Sequence, residues 1–427
     1  MKSPQAISGL ADGAARRGAP AVASLQTRSP LKVAVCATHP IQYQAPLWRR
    51  LAQRPDWRVK VIFGTDMSVR GYRDEGFGVA LKWDTPMLEG YDYEFVSTDP
   101  RIQRVHFRQP GFRGVRARLR AFAPDVVLLT AYRGLFHLGA LMEANRLGAR
   151  VVMRHEASDV AEARSSIKGW VRDAALRRLY ARIDRFAAIG VEARRHLLRV
   201  GVPASRIGSS PYCVDSDFVQ AQIELWRPRR DSLRAQLGLR SDDLALVFAG
   251  KLTPKKDPLL IITALATLPP ESLARIHLVV AGDGELRLAL EQAGRALLGN
   301  RLHLLGFLNQ SEIGRAYASG DCLILPSRKG VGETWGLVVN EAMQFGLPAI
   351  VSDGVGCCPD LVREGRTGWI FPSGDARGLA QMIRRVFVLG PGNREAFSAA
   401  VRKQVAGYSL WSAVRGLGEA ISLVSQT

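Results

Sequence analysis

Beyond residue 30 the chain sets short apolar runs between longer stretches in which apolar positions recur every three or four residues. The runs LKVAVCAT, WRVKVIFGT, PDVVLLTAY, ARVVMRHE and DRFAAIG have the length and composition of buried strands. Segments such as YQAPLWRRLAQR and GLFHLGALMEANRLG carry helical spacing and separate several of them. Apolar strands alternating with helices predict a parallel sheet covered on both faces. After Asp217 a polar, arginine-rich connection follows, and the pattern restarts with LALVFAGK, RIHLVVAGDG, RLHLLGF, DCLILPS and LPAIVSD. The expected division is a tail at 1–30, a first doubly wound α/β domain at 31–217, a linker at 218–240, a second at 241–405 and a closing helix at 406–427. Two such domains in tandem predict a cleft lined by the loops at the carboxyl ends of their strands. The closing stretch GYSLWSAVRGLGEAISLV has helical apolar spacing, which predicts core packing with Trp411 as an anchor.

Composition sharpens this only in its charge. A chain of 427 residues with 47% hydrophobic and 23% charged residues is ordinary globular material for two domains. The formal net charge of +20 predicts a polyanionic partner such as an acidic lipid surface, nucleic acid or a phosphorylated small molecule. Arginines crowd residues 101–120 with no acid among them. Arg113, Arg116, Arg118 and Arg120 there read either as a solvated helix face or as a contact with anionic headgroups. Stacking aromatics are not interleaved through that patch as a single-strand binder requires, so nucleic acid is not expected. No run reaches the length of a membrane span. Residues 1–30 lack the continuous apolar core of a secretion signal and read as a disordered tail. Five cysteines at 36, 213, 322, 357 and 358 form neither a bridging framework nor a spaced metal pair, which suggests a reducing, cytoplasmic setting with no cofactor.

Candidate chemistry concentrates in the second domain's loops. FAGKLTPKKD follows a strand with Gly250, Lys251 and Lys256, so two ammonium groups reach one cleft. VVAGDGELR passes from strand to helix through Gly282 and Gly284, which allows close approach of a ligand to the backbone. In LILPSRKGVGETWG a glycine loop opens a helix whose amides near Gly336 and Leu337 suit phosphate. GETWGLVVNEAM then sets Glu333 and Glu341 at either end of an apolar run. By itself this is either a helix start with one acid favouring the dipole, or a pair of acids facing a ligand. On the first domain, His39, Gln42, Arg154, His155 and Glu156 end predicted strands and are candidates for a second substrate. Asp215 and Asp217 follow PYCV in a connecting loop and are expected to cap a helix rather than bind metal.

The succession GKLTPKKD, AGDGELR, LLGFLNQSEIGRAYASGD, LPSRKGVGETWGLVVNEAMQFGLPAIVSD and GRTGWIFPSGD resembles the donor-binding domain of family-four glycosyltransferases. These are retaining enzymes built from two Rossmann-like domains in the GT-B arrangement. In the first half, HPIQYQAPLWRRLA and KWDTPMLEGYDYEF look like members that act in surface polysaccharide synthesis. The resemblance implies metal-independent transfer of a sugar from a UDP-, GDP- or ADP-sugar to a glycan or polyprenyl-linked acceptor, by an enzyme peripheral to the cytoplasmic membrane face. It implies Glu333 at the sugar, Lys251 and Lys256 on the diphosphate, and Glu341 on the ribose. Gly250, Gly282, Gly284, Phe307, Gly332, Thr334, Trp335, Gly336 and Leu337 would complete the donor site, and the closing helix would return to the first domain. A nucleotide-sugar isomerase on the same scaffold and a non-enzymatic basic binding protein are the alternatives. Lys251 departs from the arginine more frequent there, substituting a point charge for a fork.

Overall fold

The computed structural model describes residues 29–426 apart from 75, 79 and 162–165. The expected tail lies outside the described residues but for its last two positions. Seven parallel strands form the first sheet: β1 (Leu31–Ala37), β2 (Trp57–Thr65), β5 (Asp92–Ser97), β6 (Val126–Leu129), β7 (Arg150–His155), β8 (Arg185–Ala188) and β9 (Ile207–Ser209), in the order β5-β2-β1-β6-β7-β8-β9. An antiparallel pair, β3 (Tyr72–Arg73) and β4 (Ala80–Leu81), interrupts the path from β2 to β5. The second sheet is also parallel. It holds β10 (Leu244–Ala249), β11 (Ile276–Ala281), β12 (Leu302–Gly306), β13 (Cys322–Leu325), β14 (Ala349–Ser352) and β15 (Gly368–Phe371), in the order β12-β11-β10-β13-β14-β15. In each sheet the order reverses around the first strand, which opens a crevice at the carboxyl ends of the strands.

Every apolar run quoted above lies on a strand. β5, β9, β15 and the hairpin were not predicted, for a shared reason. β5 is a half-buried edge strand with Asp92 and Glu94 in it, and the others have four residues or fewer, so no sustained apolar pattern marks them.

The Leu410–Ser425 helix packs on the first sheet, burying Leu410, Ala413, Leu417, Ala420, Ile421 and Val424 among Val33, Val35, Leu47 and Trp48. Trp411 does not anchor it. That ring is 67% exposed, with the Arg415 guanidinium 4.5 Å above it, because position 411 falls outside the buried stripe.

The basic helix Phe112–Phe122 also differs from expectation. Arg116 and Arg120 donate to Glu143 of the Gly134–Leu147 helix at 2.6 and 2.5 Å, and Arg118 donates to the Phe95 carbonyl at 3.1 Å. Three of the four arginines therefore act within the fold. Glu143, buried to 2% exposure, is the acid that local sequence inspection did not connect with them. Among the described residues no helix is long and apolar enough to cross a membrane.

Candidate active site

Between the sheets lies a cavity of about 360 Å³. Its second-domain wall is made by Gly250 after β10, Gly282 after β11, Phe307 after β12 and Leu337, Val338 and Glu341 of the Leu337–Gln344 helix. This helix starts where it does because Gly336, at φ +102°, takes a left-handed conformation that other residues adopt only at a cost. A Cβ there would also come within 2.8 Å of Val355. Glu341 lies one turn in and accepts a 2.6 Å hydrogen bond from the Tyr317 hydroxyl. Burial pushes its carboxyl up to about 7, with the Tyr317 hydroxyl opposing.

Charged groups cluster beside this cavity. Lys256 and Glu333 form an ion pair at 2.5 Å, and the Ser327 hydroxyl donates to the same Glu333 oxygen at 3.2 Å. Burial alone raises an acid, but the charges of Lys256 and Lys255 outweigh it and hold Glu333 below the ordinary carboxylate range. Lys255 itself donates to the Gly332 carbonyl at 2.8 Å. Lys251, expected beside Lys256, instead makes an ion pair with Asp74 of the first domain at 2.7 Å.

A second cavity of about 250 Å³ opens on the first domain, lined by Tyr132, Arg133, His155, Glu156 and Ser158 and, from across the cleft, Gly332 and Thr334. Burial, then neighbouring His196, pushes His155 down to about 3, so its imidazole is neutral. Its Nε2 is buried with no hydrogen-bond partner among the described residues. Glu156 accepts from the Tyr212 hydroxyl at 3.3 Å, and burial raises its carboxyl. The segment 332–341 thus has one end at each cavity, with Glu333 between them.

Several sequence-predicted positions stand elsewhere. Trp335 is buried at the domain junction, donating to Asn340 Oδ1 at 2.7 Å and packing on Tyr212 and Tyr408. Arg154 is 2% exposed and is held by Ser210, the Pro211 carbonyl and Glu156. Its charge is largely spent on these partners, although the side chain also lines the second cavity beside His155 and Glu156. His39 bonds its neighbour Thr38 at 2.9 Å and lines neither cavity, whereas Gln42 lines the first. Gly332 and Thr334 belong to the second cavity rather than the first. Gly282 lines the first cavity while Gly284 lines neither, and protein backbone also approaches both closely. A Cβ would sit 1.9 Å from the Gly250 carbonyl in one case and 2.6 Å from the Leu252 carbonyl in the other. Asp215 does cap the Ser216–Trp226 helix, accepting from the Phe218 amide.

Residues missed by the sequence reading come mostly from the first domain. Asp74, Phe77 and Trp83 reach the second domain, where Phe77 and Trp83 meet Phe307 edge-on at 4.9 and 6.2 Å. Tyr212, in the connecting loop before Asp215, accepts from Asn340 through its carbonyl. Contacts between residues so distant in sequence leave no local pattern. The clustered aromatics around GFGVALKW were the available signal.

Residues 229–404 match the family model described as glycosyl transferases group 1. A GDP-mannose-dependent alpha-mannosyltransferase of Mycobacterium tuberculosis is 29% identical over 327 residues, covering 74% of this chain and 76% of the relative. The sulfoquinovosyl transferase SQD2 of Arabidopsis thaliana is 29% identical over 227 residues, or 50% of this chain and 42% of the relative. The chain therefore spans under half the length of that plant protein. Among solved structures, Alr3699/HepE of Anabaena in complex with UDP superposes with a TM-score of 0.68 at 17% identity, covering 92% of this chain and 100% of the other. The two sheets facing a cleft are accordingly the GT-B fold.

Proposed function

We propose that this GT-B protein, whose residues 229–404 match the group 1 glycosyl transferase model, is a retaining, metal-independent glycosyltransferase using a nucleotide-sugar donor. The observation that carries this reading is the ion pair of Lys256 with Glu333, an acid on a segment with residues at two cavities, one of them walled by Glu341.

In this reading the nucleoside occupies the larger cavity, with Phe307 beside the base and Glu341 accepting from the ribose hydroxyls. The diphosphate meets Lys251, Lys256 and the first amides of the Leu337–Gln344 helix, whose dipole favours negative charge. Breaking the bond between sugar and phosphate builds negative charge on the leaving diphosphate. Fixed cations and amides aimed at that charge stabilise the transition state, each charged hydrogen bond by about 1.5–3 kcal/mol. Glu333 faces the sugar, holding hydroxyls and favouring positive charge at the anomeric carbon. The leaving phosphate oxygen takes the incoming hydroxyl's proton, so attack occurs on the face being vacated and configuration is kept.

The acceptor, a glycan or lipid-linked sugar, enters through the second cavity, where the neutral imidazole of His155 offers a hydrogen bond to a hydroxyl. A second substrate cavity supports transfer over isomerisation, which needs no second substrate. Of the four arginines considered for an anionic surface, Arg113 is the one with no internal partner among the described residues. The donor class is tested by thermal stabilisation in EDTA, because a ligand of the native state raises its stability by mass action. One of the UDP, GDP or ADP series should raise Tm in the presence of EDTA. No shift with any of them contradicts the reading.

A further inference from the structure

The path from β2 to β5 leaves the first domain and is fastened to the second at two points. At one, Lys251 Nζ lies 2.7 and 2.8 Å from the two carboxylate oxygens of Asp74. At the other, Asn309 Nδ2 donates to the Lys82 carbonyl at 2.8 Å, and the Ser311 amide and hydroxyl donate to Asp84 at 3.1 and 2.5 Å. Between them Phe77 meets Phe307 and carries the Lys251 ammonium 5.0 Å above its ring. Two glycines, one from each domain, make the approach possible. A Cβ on Gly76 would lie 2.6 Å from Lys251 Cδ, and one on Gly284 would lie 2.8 Å from the Gly76 carbonyl.

We infer that Asp74 is a built-in substitute for the donor's diphosphate on Lys251, and that it sets donor affinity by competing for that ammonium. The inference rests on the proposed assignment of Lys251 to the diphosphate. Both lysines assigned to the diphosphate already hold a carboxylate, Lys251 that of Asp74 and Lys256 that of Glu333. An arriving diphosphate must therefore share or displace one of them.

The hydrogen bonds decide which acid yields. Without Lys256, Glu333 keeps one side-chain hydrogen bond among the described residues, from the Ser327 hydroxyl, with the Lys255 charge nearby, and an under-satisfied buried carboxylate is costly. Without Lys251, Asp74 still accepts from the Gly76 and Phe77 amides at 2.9 and 3.0 Å and from the Tyr72 hydroxyl at 3.2 Å. Asp74 releases its lysine at lower cost, so the donor displaces Asp74 and leaves the Lys256–Glu333 pair in place. Phe77, Trp83, Thr85 and Pro86 wall the larger cavity, so the competing acid sits on the same segment that covers the nucleoside.

The test is calorimetric titration of UDP, GDP and ADP into the parent, Asp74→Asn, Lys251→Ala and the double variant. Asparagine keeps an acceptor for the two turn amides while removing the charge. Asp74→Ser serves as a second variant, its hydroxyl accepting in the same turn. Both single changes at Asp74 should tighten binding of the preferred diphosphate by roughly fivefold or more at low salt, the scale of a partly screened ion pair. The gain should shrink as salt rises and vanish on the Lys251→Ala background. A residue that merely fastens the segment would leave binding unchanged or weaken it. A parent that binds a diphosphate with neither Asp74 variant binding it more tightly overturns this inference alone. A gain that persists without Lys251 overturns it too, and a parent that binds none of the three overturns the proposed function with it.

Discussion

Glu333 and Glu341 lie on one short segment yet have opposite electrostatic surroundings. Glu333 is kept charged by the lysines around it, whereas Glu341 is pushed up to about 7 by burial. If Glu333 holds the sugar and favours charge at the anomeric carbon, Glu333→Gln lowers turnover by about 10²-fold. Nucleotide affinity should not fall, since Lys256 loses a competitor. Single-turnover rates and equilibrium titration on one preparation check both, and a normal rate removes Glu333 from the chemistry.

Glu341 gives a pH signature. An acid whose folded pKa exceeds its unfolded value binds more protons when folded, so its contribution is present below its ordinary 4.5 and is lost as pH rises through about 7. The Tm of the parent should therefore fall relative to that of Glu341→Gln between about pH 5 and pH 8. Parallel Tm curves would contradict the burial of an ionisable Glu341. The spacing of these two acids was legible in the sequence because both lie on one loop and helix. Asp74 was not, because it meets Lys251 across 177 positions and no periodicity records such a contact.

At the scale of elements, strands that run apolar along their whole length announced themselves, and β6 and β10 are buried throughout. Edge and very short strands did not, since a half-buried edge tolerates charge. The basic helix teaches a related lesson. Its arginines looked free because their counterion, Glu143, lies on the next helix. Replacing Arg116 and Arg120 together by glutamine leaves a buried carboxylate whose remaining charged partner among the described residues is Arg146, 3.7 Å away. A loss of about 1–3 kcal/mol is expected, or a fall in Tm of roughly 2–10 °C for domains of this size. Sedimentation with acidic vesicles should match the parent. Loss of vesicle binding at unchanged Tm would return these arginines to the protein surface and to a membrane role.

At the scale of the molecule, two parallel sheets meet through contacts at both ends of the cleft. Trp335, Tyr212 and Asp360 fasten one end and Asp74 and Asp84 the other. The doubly wound pair was readable from two successive runs of strand and helix. The way the first domain reaches into the larger cavity was not, because that contact is set by how the domains face each other. In the mechanism we propose, catalysis depends on a leaving diphosphate that is held by lysines and helix amides and itself accepts the acceptor's proton. The most direct test is the configuration of the product. With the nucleotide sugar identified by thermal stabilisation, proton NMR of the new glycosidic linkage should show an α-linked product from an α-linked donor. A β-linked product from that donor would contradict the account.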